Sequence, residues 1–114
     1  MSLITTHVLD TSRGQPASGV AVTLEFEGAG QGWQMVASGI TNQDGRISDL
    51  LPADLPLPVG IYRLTFDPRA YFQHHHVQSF YPYISIVFTI QQPTEHYHVP
   101  LLLNPFGYTT YRGS

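Results

Sequence analysis

His7, Arg46, His96, His98 and Tyr111 are the side chains of this sequence whose types suit proton transfer, charge stabilisation and the walling of a flat ligand. Histidine has a reference pKa of about 6.5, so a neutral imidazole can take a proton from water near neutrality. Arginine holds its charge and presents planar donors. In His96-Tyr97-His98-Val99-Pro100-Leu101-Leu102-Leu103 the two histidines stand two residues apart in an alternating run. On a strand they share one face, about 6.5–7 Å apart. Tyr97, Val99, Leu101 and Leu103 form the opposite, aliphatic face and must meet the core, so the histidines look away from it.

Three other segments have to bring the remaining candidates to that surface. Leu3 to Asp10 alternates: with Thr6 and Val8 inward, Thr5, His7 and Leu9 face outward. After Leu103 the connection through Pro105-Phe106-Gly107 is short enough for a hairpin, and Tyr108 and Thr110 alternate with Thr109, Tyr111 and Gly113. Such a pair brings Tyr111 near the histidines. Arg46 follows the turn Thr41-Asn42-Gln43-Asp44-Gly45, whose Asp-Gly supplies a left-handed position at no steric cost. An outer face mixing Leu9, Leu102, Tyr111 and histidines is a poor solvent surface and suits an interface, or the floor of a pocket at one.

The rest of the chain supplies a scaffold. Val20 to Glu27 alternates, a glycine-rich reversal covers Gly28 to Gly32, and Trp33 to Ile40 reads as the hairpin partner. Pro52 to Gly60 is proline-rich and irregular, Gly60 to Phe66 is another strand, and Ile84 to Ile90 is the most apolar one. Arg69 to His76 is the one plausible short helix, with Asp67 as cap and Pro68 in its first turn. Seven or eight short strands with regular turns predict an all-β sandwich, a single domain over residues 1–114.

Bulk properties exclude several function classes. The 114 residues contain no cysteine, so disulfides and thiol chemistry are ruled out. A net charge of −3 with 11% charged residues gives no electrostatic case for nucleic acid or anionic membrane. So little charge leaves apolar surface for oligomerisation to cover. No secretory signal, membrane span or peroxisomal address is visible, which makes a cytoplasmic location the expectation.

Each candidate has a plainer reading. A histidine on a strand is ordinarily a tolerated polar residue, and an arginine after a turn a solvated charge. Ser114 as a nucleophile lacks a Gly-x-Ser-x-Gly elbow. His74-His75-His76 fans out on a helix and alternates on a strand, so it does not chelate with three rings. His7, His96 and His98 have no suitably spaced carboxylate, and no metal is expected there.

Through Thr6-His7-Val8-Leu9-Asp10, Thr41 to Arg46, Ser79-Phe80-Tyr81-Pro82, His96 to Leu103 and Tyr108-Thr109-Thr110-Tyr111-Arg112-Gly113-Ser114, the chain resembles the transthyretin-related 5-hydroxyisourate hydrolases over essentially its whole length. It departs from them at Ile47, Tyr83 and Asn104, none of them a site residue. The resemblance implies a transthyretin-like sandwich of two four-stranded antiparallel sheets with one short helix. It further implies a homotetramer with sites at the dimer-dimer interface, and cofactor-free hydrolysis of 5-hydroxyisourate in urate breakdown. Its active-site residues carry over to His7, Arg46, His98, Tyr111, Arg112, Gly113 and Ser114, with His96 beside them. On that basis His98 is the base, His7 its partner or the acid, Arg46 the anion-stabilising cation, and the Ser114 carboxylate a group that orients an imidazole or pairs with Arg46. The alternatives are a carrier of a small hydrophobic ligand, as transthyretin is, and a purely structural β-sandwich module.

Overall fold

The computed structural model describes residues 2–28, 30, 32–53 and 55–113. Among the described residues nine strands and one helix follow in the order β1 (Ile4–Asp10), β2 (Gln15–Pro16), β3 (Ala21–Glu27), β4 (Trp33–Ile40), β5 (Arg46–Ile47), β6 (Gly60–Asp67), α1 (Arg69–His74), β7 (Ile84–Ile90), β8 (Tyr97–Asn104) and β9 (Gly107–Thr110). They form the expected two-sheet sandwich. One sheet runs β4-β3-β6-β7 and is antiparallel throughout; the other runs β2-β1-β8-β9, with β5 added against β1. The second sheet departs from the expected four antiparallel strands: β5 makes it five-stranded, and β1 and β8 pair in parallel, an orientation that alternation within either strand cannot reveal.

Alternation decides what lies between the sheets. Ile4 and Val8 from β1, Val22 and Leu24 from β3, Tyr62, Leu64 and Phe66 from β6, Ile84 and Ile90 from β7, and Leu101 and Leu103 from β8 are nearly solvent-free. Burial of each large aliphatic side chain contributes about 1.5–3 kcal/mol, so these strands have one permitted facing. Thr6 also points inward, at no polar cost, because its hydroxyl donates to the Val99 carbonyl at 2.6 Å.

The helix is shorter than expected and starts differently. Pro68 occupies the cap position and the helix ends at His74. Asp67 sits one residue too early to cap; it accepts the Arg69 backbone N–H at 3.1 Å and pairs with the Arg69 guanidinium at 2.7 Å. The helix is fastened to β1 by the Tyr71 hydroxyl, which donates to Asp10 Oδ2 at 2.6 Å. Burial alone would raise the Asp10 pKa. Hydrogen bonds from Ser12, Tyr71 and the Arg13 backbone outweigh it and hold the carboxylate below its usual range.

Candidate active site

The pairing of β1 with β5 and β8 assembles the outward face. Arg46 stands opposite His7 on one side, and Pro100 stands opposite His7 on the other. Two residues back along β1, Thr5 stands opposite His98, and Gly113 bridges to His98 from beyond, its N–H donating to the His98 carbonyl at 2.8 Å. Two cross-strand rows result: Arg46, His7 and Pro100 in one, Thr5, His98 and Gly113 in the next. Neighbours within a row are about 5 Å apart and the rows about 7 Å apart. The pairings of Leu101 with Thr110 and of His98 with Gly113 share one register, which sets Tyr111 across from Pro100.

Arg46 is mounted on a rigid turn. Asn42 Oδ1 accepts the backbone N–H groups of Asp44 and Arg46 at 2.9 and 3.0 Å, and Gly45 donates to the Asn42 carbonyl at 2.9 Å. Gly45 has φ +74°, and a Cβ there would collide with the Val8 carbonyl; its own carbonyl accepts the Val8 N–H at 2.7 Å. The turn is thus pressed onto β1 beside His7.

The two central histidines are half-buried, and burial is the main reason both titrate below the ordinary imidazole value. The Arg46 charge is the next cause in each case. For His7, a hydrogen bond to the Asp44 backbone and the Asp44 charge partly oppose this; for His98, His96 and His7 add to it. Both rings are therefore neutral near pH 7 and available as proton acceptors. Thr5 Oγ1 lies 2.8 Å from His98 Nδ1 and 2.9 Å from His96 Nε2. Thr5, Arg46, Ser48, His96 and His98 line an open cleft of about 260 Å³. A roomier depression of about 480 Å³ beside α1 is lined by Phe72, Val77, Phe80 and Tyr81, and its Arg69 is already engaged by Asp67. Among the described residues no group of three or more His, Asp or Glu side chains is arranged to hold a metal ion.

Not every sequence candidate joins this cluster. His7, Arg46, His96, His98 and Gly113 do. Tyr111 is 57% exposed at the edge of the face and also borders the groove between the sheets. Arg112 turns away: its guanidinium lies 4.4 Å from the Tyr97 ring centroid and 3.0 Å from Glu95. Ser114 lies outside the described residues. Thr5 and Ser48 were not singled out from sequence, although the alternation of β1 already set Thr5 on the His7 face. What was missing was the parallel register that brings Thr5 to His98.

An open cleft holding the neutral imidazole of His98 beside a fixed cation suits attack of water on a polarised carbonyl. Relatives agree. A family model described as the HIUase/Transthyretin family matches residues 4–113. The 5-hydroxyisourate hydrolase of Mus musculus is 47% identical over 114 residues, covering 99% of this chain and 96% of the mouse protein. The structure of Klebsiella pneumoniae 5-hydroxyisourate hydrolase superposes with a TM-score of 0.83 at 40% identity, covering 97% of this chain and 98% of that one. Sea bream transthyretin in complex with thyroxine gives 0.89 at 33% identity, covering 98% and 95%. The higher structural score falls on the thyroxine complex and the higher identity on the hydrolase, so the shared sandwich by itself does not name an activity. The match of nearly the whole chain makes it a member of the HIUase/Transthyretin family.

Proposed function

We propose that this chain is a hydrolase that opens the six-membered ring of 5-hydroxyisourate to 2-oxo-4-hydroxy-4-carboxy-5-ureidoimidazoline, a step of urate degradation, without a cofactor. The observation that carries this reading is the row in which Arg46 faces His7, with His98 in the adjacent row, both rings lowered in pKa by burial and by that guanidinium. A channel for a hydrophobic hormone gains nothing from two neutral imidazoles beside a cation. A hydrolytic site needs them.

In this reading His98 takes a proton from water as the water oxygen bonds to the ring carbonyl carbon. Arg46 stabilises the oxyanion with donors already in place. The intermediate collapses with cleavage of the ring C–N bond, and the His98 imidazolium returns its proton to the departing nitrogen. His7, neutral and held by the Asp44 backbone, orients water or substrate. Gly113 backs the His98 ring on the C-terminal side, and Arg112 holds that segment through Glu95 and Tyr97.

The site of one chain is open, and we assign its closure to other copies in a homotetramer. Three features support assembly. Strand β7, Ile-Ser-Ile-Val-Phe-Thr-Ile, sits at a sheet edge with no charge and no proline. Val87, Phe80, Phe106 and Tyr111 are exposed. Few charged residues are present to cover such a surface. Freshly generated 5-hydroxyisourate, followed by its ultraviolet decay, should disappear faster with the protein than without. Thyroxine binding together with an unaccelerated decay would replace this reading with the carrier.

A further inference from the structure

Thr5 projects from β1 on the same face as His7 and touches both histidines of β8, its Oγ1 being 2.8 Å from His98 Nδ1 and 2.9 Å from His96 Nε2. A hydroxyl carries one hydrogen and two lone pairs. It can donate to one of these nitrogens and not to both, so the proton positions of the two rings are linked through Thr5. Left there, either direction would do. The hydrolase reading breaks the tie: a base needs its lone pair on Nε2, the nitrogen turned to the cleft, so the ring hydrogen sits on Nδ1 and the hydroxyl in reach of Nδ1 must accept it.

The opposite side of the ring is closed by backbone. A Cβ at position 113 would lie 2.6 Å from His98 Cδ2 and 3.3 Å from Cγ, closer than such atoms approach. The imidazole therefore fits between Thr5 and a residue that has no side chain. Its Cε1 to Nε2 edge is the edge left for the cleft.

We propose that Thr5 is the positioning residue of the catalytic base, an assignment that rests on the hydrolase reading: Thr5 Oγ1 accepts the Nδ1–H of His98 and donates its own hydrogen to His96 Nε2, leaving the His98 Nε2 lone pair bare towards the substrate. The consequence for the reaction is direct. When Nε2 takes the proton of the attacking water, the ring becomes a cation and the bond from Nδ1–H to Thr5 becomes charge-assisted, so it strengthens along the reaction coordinate. The other groups that face His98, namely Arg46, His96 and His7, all oppose that charge. No proton passes through Thr5; it sets which nitrogen is free.

Two substitutions separate this role from packing. Thr5→Val keeps the β-branched shape and removes the hydroxyl; Thr5→Ser keeps the hydroxyl. Nitrogen-15 NMR of the His98 ring, assigned by the signals lost in His98→Asn, reports the tautomer without reference to activity. The wild-type ring is expected to carry its hydrogen on Nδ1 at mildly alkaline pH. In Thr5→Val that preference weakens and kcat for 5-hydroxyisourate falls roughly 10- to 100-fold with KM within about twofold, and Thr5→Ser restores both. A wild-type His98 protonated on Nε2 would overturn the assignment, as would a Thr5→Val protein with unchanged tautomer and unchanged kcat. A wild-type chain with the Nδ1–H tautomer and no turnover would defeat the hydrolase reading while leaving the placement by Thr5 intact.

Discussion

Six histidines fall into two groups of three, and the groups behave differently because of the elements that carry them. His7, His96 and His98 come from two strands in parallel register, share a face and are tied together by one threonine hydroxyl. His74, His75 and His76 are consecutive at the end of α1; the rings of His74 and His75 meet edge to face with centroids 5.1 Å apart, and no polar group ties the three together among the described contacts. His74 is exposed, His75 packs its ring 4.7 Å from that of Tyr71, and His76 adopts φ +56° as the chain leaves the helix. The denser motif in sequence is thus not the one set up for chemistry: adjacent rings at a helix end merely pack, whereas a period of two, repeated on neighbouring strands, brings imidazoles to one face with a shared hydroxyl and a cation.

The largest expected effect tests that contrast directly. His98→Asn removes the base and should lower kcat by about 10²–10⁴-fold with the fold retained, while His75→Asn should leave turnover unchanged. Rates measured side by side on freshly made 5-hydroxyisourate decide it. Equal losses would put the chemistry at the helix. Equal retention would leave the strand face without a catalytic role.

Arg46→Ala comes next, with a loss of about 10²–10³-fold if the guanidinium stabilises the oxyanion. It carries a second signature. The Arg46 charge lowers the pKa of both His7 and His98, so its removal lets both rise towards the ordinary imidazole value. Activity that needs neutral His98 is lost as pH falls through its pKa, hence the acid limb of kcat/KM should move to higher pH in Arg46→Ala. A limb that stays in place would mean that the cation does not act on the base.

Much of this was legible in the sequence because alternation is a local property. The inward set Tyr97, Val99, Leu101 and Leu103 and the outward histidines followed from the pattern of β8 alone, and the Asp44-Gly45 turn that mounts Arg46 followed from its residue types. What was not legible depends on pairing. Nothing local in Ile4–Asp10 says that it runs parallel to Tyr97–Asn104, and only that register sets Thr5 against His98. The same applies to Arg112. Its position in an alternating tail gave no sign that Glu95 and the Tyr97 ring would take the guanidinium. Asp67 as a helix cap failed by one residue, since Pro68 fills the cap position itself.

Gly113→Ala should have a smaller effect and sharpens the view of how the strand cluster is held. The added methyl must displace the His98 ring from its seat or push the C-terminal segment off β8. Either change misaligns the base, and about a tenfold fall in kcat with little change in melting temperature is expected, since position 113 lies beyond β9 and outside the core. An unchanged kcat would show that the ring tolerates displacement and that its placement does not limit the rate.

The smallest effect appears in stability, and there the two histidine groups converge. His7 and His98 titrate below the ordinary value chiefly through burial, and so does His75, which caps the helix. A histidine whose pKa in the fold lies below its unfolded value of about 6.5 favours the folded state above that pH, and the contribution is lost as pH falls through the folded pKa. Melting temperature should therefore decline as the solution is acidified below about pH 6.5, well before the separate loss when Asp10, whose pKa is also lowered, takes up its proton below its reference value of 3.8. His98→Asn and His75→Asn should each flatten the first decline, although only the former costs activity. A variant pair that shared the stability effect and split on turnover would locate the difference between the two groups in their arrangement, since the desolvation that shifts their pKa values acts on both.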